Sequence, residues 1–259
     1  MAAKKHKLWF DAELAELLSA KIEQVYPNFD RSSFISEIKN GVDDLELKAR
    51  LGYFAERLQH HLPDEYPEAI AILTSILGAE NPAETGMFTN FYWVMPIATY
   101  VEKYGLEYFE ESIEAIAEIT KRNTGEFAIR PYLIAYPNRT LAVMQQWSLD
   151  DNFHLRRLAS EGCRPRLPWA SKLDLVIQNP RLTLPILNNL KDDPIKYVQK
   201  SVANHLNDIL KDNYDVGMDV IQNWLEKSSP ARRWIIKHAL RKQVKDGNKK
   251  AIAIKQSLS

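Results

Sequence analysis

The stretch LRRLASEGCRPRLPW, residues 155–169, begins as an amphipathic helix and is broken by two prolines. Leu155 and Leu158 recur at helical spacing, while Arg157 and Glu161, four residues apart, share another face. Pro165 and Pro168 both resist helix, so Arg164, Arg166 and Trp169 fall on a stiff, irregular turn. The start of the stretch recurs downstream. LRRLA from 155, VQKSV from 198 and RRWII from 232 can be laid over one another, 43 and then 34 residues apart, each after a polar, turn-like segment.

Those periods suit helical-pair repeats of the HEAT and armadillo kind, in which a repeat cannot bury its apolar side without neighbours. Working towards the N-terminus, residues 45–77, 88–120 and 126–147 read as helix pairs by pattern rather than identity. Leu45, Leu47, Leu51, Phe54, Ala55 and Leu58 keep near-helical spacing, as do Ile113, Ile116 and Ile119. Pro63, Pro82, Pro194 and Pro230 stand at expected helix boundaries. Strand signals are scarce: few runs alternate with period two, and no Asn-Gly or Asp-Gly turn joins two β-rich segments. The expectation is an all-α protein, a right-handed α-α superhelix or solenoid of degenerate HEAT-like helical repeats. It forms a single domain over 1–259, with capping helices over 1–42 and repeats over 43–259.

Of the 259 residues, 45% are hydrophobic and 26% charged, which excludes a disordered chain. The single cysteine, Cys163, excludes an intramolecular disulfide or a zinc site built on thiolates alone, and suits a reducing compartment. No apolar run reaches the roughly 18 residues a membrane span needs, and the start lacks a signal-peptide core, so no membrane is expected and a cytoplasmic location is. Formal net charge is zero but unevenly spread. Residues 41–119 carry 15 acids against 4 Lys/Arg, whereas residues 227–259 carry 10 Lys/Arg against one acid, Asp246. Residues 121–170 add 8 Lys/Arg to 4 acids. Positive charge in the second half fits either a polyanion-binding surface or ordinary solvated helix faces.

The turn at 164–169 also has two readings. Arginine on a rigid loop matches phosphate oxygens with its planar fork, and tryptophan offers a face for stacking on a base or sugar. The same residues equally make an Arg/Glu-braced inter-repeat turn with a packed Trp.

Four stretches bring a resemblance: NTGEFAIRPYL (123–133), LRRLASEGCRPRLPW (155–169), SVANHLNDILKD (201–212) and ARRWIIKHALRK (231–242). In this order they resemble the signature blocks of the AlkC/AlkD-type DNA alkylation repair glycosylases, and of the AlkC family most closely, with likeness from about residue 88 onward. The resemblance implies a 3-methyladenine-type DNA glycosylase acting on duplex DNA as a monomer, without cofactor or metal. Some AlkC-like proteins carry a C-terminal immunoglobulin-like domain, and none is expected here. By the same resemblance Glu126, Glu161 and Asp208 are the catalytic acids, with Trp169 and Arg157 at the substrate. Arg164, Arg166, Arg130, Arg232 and Arg233 are then expected to hold DNA. A non-catalytic HEAT-like scaffold binding protein or nucleic acid is the alternative.

The acids make chemical sense for that activity. A base alkylated on a ring nitrogen is cationic and already a good leaving group, so the demand lies on the electron-poor, oxocarbenium-like sugar, which carboxylates stabilise while one orients water. Without the family likeness, Glu126 reads as a helix-capping partner of Thr124 and Asp208 as a partner of Lys211. No lysine in these blocks is placed as a Schiff-base nucleophile, which favours a monofunctional hydrolase. Base flipping is the common route to such chemistry, and the resemblance implies a site that reaches the sugar without it. Elsewhere, His60 and His61 beside Asp64 and Glu65 read as a solvated pair rather than a metal site. Phe88, Phe91, Tyr92 and Trp93 read as core, and Cys163 as a small buried residue in the turn.

Overall fold

The computed structural model describes residues 5–86 and 88–258, all of whose regular structure is helical. Packing divides the chain into two compact units, one ending at Pro131 and the other beginning at Tyr132.

The first unit contains α1 (Ala12–Glu23), α2 (Arg31–Gly41), α3 (Leu47–His61), α4 (Tyr66–Ser75), α5 (Met95–Tyr104) and α6 (Phe109–Thr120). Asp11 and Asp30 start α1 and α2 by accepting hydrogen bonds from backbone N–H groups of the first turn. Beyond α3, helices pack on the element two along, α3 on α5 and α4 on α6, as well as on their sequence neighbours. Residues 45–77 and 88–120 thus each hold two α-helices, and these pack from one pair onto the next. Arg50 is fully buried and earns its place by donating to the carbonyls of Phe10, Asp43 and Leu45, tying the N-terminal segment to α3. Of the aromatic run, Trp93 is buried, whereas Phe88 and Tyr92 are half-buried and pack on His6, Trp9 and Phe10.

Helix α7 (Arg130–Ala135) spans the division. The second unit continues with α8 (Pro137–Trp147), α9 (Phe153–Glu161), α10 (Asp174–Gln178), α11 (Leu184–Leu190) and α12 (Lys196–Asp212). It ends with α13 (Tyr214–Leu225), α14 (Pro230–Ala239), α15 (Arg241–Lys245) and α16 (Lys249–Ser257). Asn152, Ser229 and Asn248 cap α9, α14 and α16 with their side chains, and prolines occupy the first turns of α8, α11 and α14.

The three superposable sequence blocks lie on α9, α12 and α14, and these helices form one row with α12 in the middle. Helix α12 buries Val198, Val202, Leu206 and Ile209 on its packed side, each contributing about 1.5–3 kcal/mol by leaving water. Gly217 lets α13 approach α12, since a Cβ there would stand 2.7 Å from a Leu210 methyl.

Candidate functional site

Helix α9 ends where the prolines require, at Glu161, with Gly162 as its C-cap. The chain then turns through 163–170 without regular structure. Cys163 and Leu167 are buried and fix the turn, and Leu173 N–H donates to the Pro165 carbonyl at 3.1 Å to close it. His205 on α12 supports the same corner: its Nδ1 meets the Ser160 carbonyl at 2.9 Å and its Nε2 meets the Thr183 hydroxyl at 3.1 Å.

The turn aims Arg164 inward, between α9 and α12. Its Nη1 donates to Glu161 Oε1 at 2.6 Å and its Nε donates to Asp208 Oδ2 at 2.9 Å. All three side chains are buried, and Arg157 Nη2 stands 3.6 Å from Glu161 Oε1 on the other side. One guanidinium therefore bridges two carboxylates from neighbouring helices, with a second guanidinium in support.

The two acids titrate in opposite directions. Burial pushes the Glu161 carboxyl up, but Arg157, Arg164 and the Ser201 hydroxyl outweigh it and hold the group below its ordinary value. At Asp208 burial wins: Arg164 pulls down, Glu161 repels, and the carboxyl ends above its ordinary value. Glu161 is thus held towards its anionic form. Asp208 is the more basic carboxylate, and only its Oδ2 is engaged by Arg164 among the described residues.

The same turn presents Trp169 to solvent, 73% exposed, with a left-handed backbone at φ 63°. For a bulky non-glycine residue that conformation costs on the order of 1–2 kcal/mol.

The other expected residues take distinct places. Glu126, in the first unit, is buried in the loop before α7, where it accepts from Thr124 Oγ1 at 3.1 Å while its N–H donates to the same hydroxyl. Arg130, also buried, begins α7. Arg166 is held in a fork by Asp212, at 2.7 and 2.6 Å. Arg232 forks onto Asp192, while Arg233 is exposed and reaches only Ser228 Oγ, at 3.3 Å, among the described residues. Arg157 additionally covers the Tyr197 ring at 5.0 Å. Asp212 was not anticipated, although its position one turn beyond Asp208 on α12 puts both acids on one line facing the turn. Arg241, beside Asp208, was also missed.

Of the His60/His61 pair, His60 is exposed as expected, whereas the His61 side chain is not. His61 packs against Phe29 and Phe34, and both rings approach Glu37 of α2, with donor atoms of the three residues within 4.8 Å. Arg57 donates to the same carboxylate at 2.9 Å, which supplies the positive charge that an acid in that position requires.

The chain belongs to the family of DNA alkylation repair enzymes, whose family model matches residues 98–243. It is 40% identical to the Pseudomonas fluorescens alkylpurine DNA glycosylase AlkC, solved bound to DNA containing an abasic site analog, with a TM-score of 0.87 over 98% of this chain and 68% of that one. It is also 37% identical to the uncharacterized protein YhaZ of Bacillus subtilis (strain 168), over 95% of this chain and 66% of YhaZ. The chain thus spans about two thirds of the length of both proteins. The likeness establishes the fold class expected from the repeats, an all-α superhelix of helical repeats. Among the described residues no helix is long and apolar enough to cross a membrane.

Proposed function

We propose that this protein is a monofunctional DNA glycosylase that hydrolyses the N-glycosidic bond of cationic alkylated bases in duplex DNA, with 3-methyladenine foremost and 3-methylcytosine and 7-alkylguanine as further candidates. The observation that carries this reading is the buried Glu161–Arg164–Asp208 bridge in a member of the alkylation repair family. The likeness to a glycosylase solved on abasic-site DNA supports the same reading.

In this mechanism the alkylated base leaves with the electron pair of the glycosidic bond, which neutralises its own positive charge, so no general acid is needed. Positive charge moves onto the sugar. Glu161, held ionised by two arginines, stabilises it electrostatically. Asp208 orients a water through its remaining oxygen and accepts the proton as the water attacks the sugar carbon; its raised proton affinity suits that task. Trp169 and Arg157 contact the lesion-bearing nucleotide, and the base is released without flipping into a pocket. An abasic site remains.

The test is base release from methylated duplex DNA by the wild type, Asp208→Asn and Glu161→Gln, measured across pH. Loss of at least 100-fold in each variant is expected. The wild-type rate should fall with acidity first through Asp208, because its carboxyl lies above the ordinary range while that of Glu161 lies below. Unaltered release in both variants would remove the acids from the mechanism. A wild type that releases no alkylated base would leave a DNA-binding scaffold.

A further inference from the structure

Three arginines expected to hold DNA spend their charge inside the protein: Arg164 on Glu161 and Asp208, Arg166 on Asp212, and Arg232 on Asp192. Positive charge without a carboxylate partner collects instead on one face of α12. Residues 196, 200, 204 and 208 follow one another at every turn of that helix, and Lys196 and Lys200 are exposed. Lys196 Nζ stands 3.4 Å from the centroid of the Trp234 ring on α14 and donates to Gln199 Oε1 at 3.1 Å. Lys200 forms no ion pair among the described residues. One turn on, Asn204 accepts from Arg241 Nη2 at 2.9 Å, and the line then arrives at Asp208.

Aromatic surface accompanies the charge. Trp234 stacks on His238 with centroids 4.8 Å apart and planes inclined by 11°. Arg241 Nη1 also donates to the His238 carbonyl at 2.7 Å, and burial and then Arg241, Lys200 and Lys196 hold the His238 imidazole below its ordinary value, so all three cations act on this ring. Like charges gathered in this way repel each other and burden the folded state unless an anion neutralises them. A polyanion lying along the face would do so. The Trp234 ring also fixes Lys196 in place beforehand, which reduces the ordering cost of a contact made through it.

We infer that the line Lys196–Lys200–Asn204, flanked by Trp234 and Arg241, is a track for the phosphates of one DNA strand and guides that strand to Asp208. This assignment rests on the glycosylase reading for its partner, and it shifts the backbone contacts from the arginines of the turn to the lysines of α12. Each phosphate contact releases condensed counterions, so it appears as about 0.9 in the slope of log affinity against log salt concentration.

The experiment is a salt titration of binding to a labelled duplex containing an abasic-site analogue. It compares the wild type with Lys196→Gln/Lys200→Gln and with Lys249→Gln/Lys250→Gln, which removes equal charge from exposed lysines of α16. The α12 pair should flatten the slope by about 2, with the α16 pair leaving it at the wild-type value. A wild-type slope in the α12 variant, or equal flattening in both variants, overturns the track. Binding is read without catalysis, so a wild type that binds with the full slope yet releases no base removes the glycosylase reading while the track stands. A wild type that binds no DNA overturns both.

Discussion

Replacing Arg164 with methionine removes a buried cation from between two buried carboxylates while keeping most of the side-chain volume. The side chains of Arg164, Glu161 and Asp208 are about nine-tenths shielded from water, so little solvent is on hand to replace the lost charge. Each Arg–carboxylate attraction is worth about 4 kcal/mol at the effective dielectric of such sites, before the cost of desolvation is subtracted. Breaking a buried pair by deleting one partner costs about 3–5 kcal/mol net, and that is the loss expected for Arg164→Met near pH 8. The loss must depend on pH. Without Arg164, Glu161 keeps Arg157, but burial and repulsion from Glu161 raise the folded-state proton affinity of Asp208 further above that of the unfolded chain. Groups shifted upward in the folded state stabilise it below their unfolded pKa and lose that contribution as pH rises through the folded value. Urea unfolding of wild type and variant at pH 5 and pH 8 should therefore show a gap that narrows by at least half at the lower pH. An equal gap at both values would mean that Arg164 acts as packing volume, and the electrostatic account of the site would fail.

Trp169→Gly should raise stability by about 1 kcal/mol, because glycine adopts the left-handed backbone without strain and little apolar surface is lost from an exposed ring. Base release should fall in the same protein; a drop in the urea midpoint would mark Trp169 as a packing residue instead. At Glu37, burial pushes the carboxyl up but hydrogen bonds from Arg57, Ser33 and His61 outweigh it, bringing the pKa down to about 2. A depressed acid stabilises above its unfolded pKa and loses that contribution as pH falls towards the folded value, so Glu37→Gln should cost about 1–2 kcal/mol at pH 7, after allowance for solvent screening, and almost nothing near pH 2. Thermal melts at pH 7 and in acid would reveal a role in packing alone by a difference that persists at low pH.

The fold was legible because its signal is periodic. Residues one repeat apart sit side by side once the helices stack, and that geometry also paired much of the site. Arg164 meets Asp208 at a separation of 44 residues, Arg166 meets Asp212 at 46, and His205 meets Ser160 at 45, all close to the 43-residue offset between the first two blocks. The Arg157–Glu161 pairing followed from helical spacing alone. The destination of each arginine did not, since a turn of two prolines fixes the backbone but leaves a long side chain several acids to choose from, and only the packed α9–α12 interface selects Asp208 for Arg164. Glu37 and His61 were illegible for a different reason: they meet across 24 residues, outside the repeat offset, so periodicity gives no hint of their contact.

The 44-residue reach of the Arg164–Asp208 bond bears on how this architecture can evolve. Repeat arrays lengthen and shorten readily, since each unit needs only compatible neighbours. Here the proposed catalytic pair straddles one particular joint, with Glu161 on one side and Asp208 on the other. A unit inserted at that joint would keep every helix yet break the α9–α12 packing and separate the two acids by the width of a repeat. Gains and losses of units should therefore be borne better away from the α9–α12 joint, which is the fixed point from which the length of the array is counted.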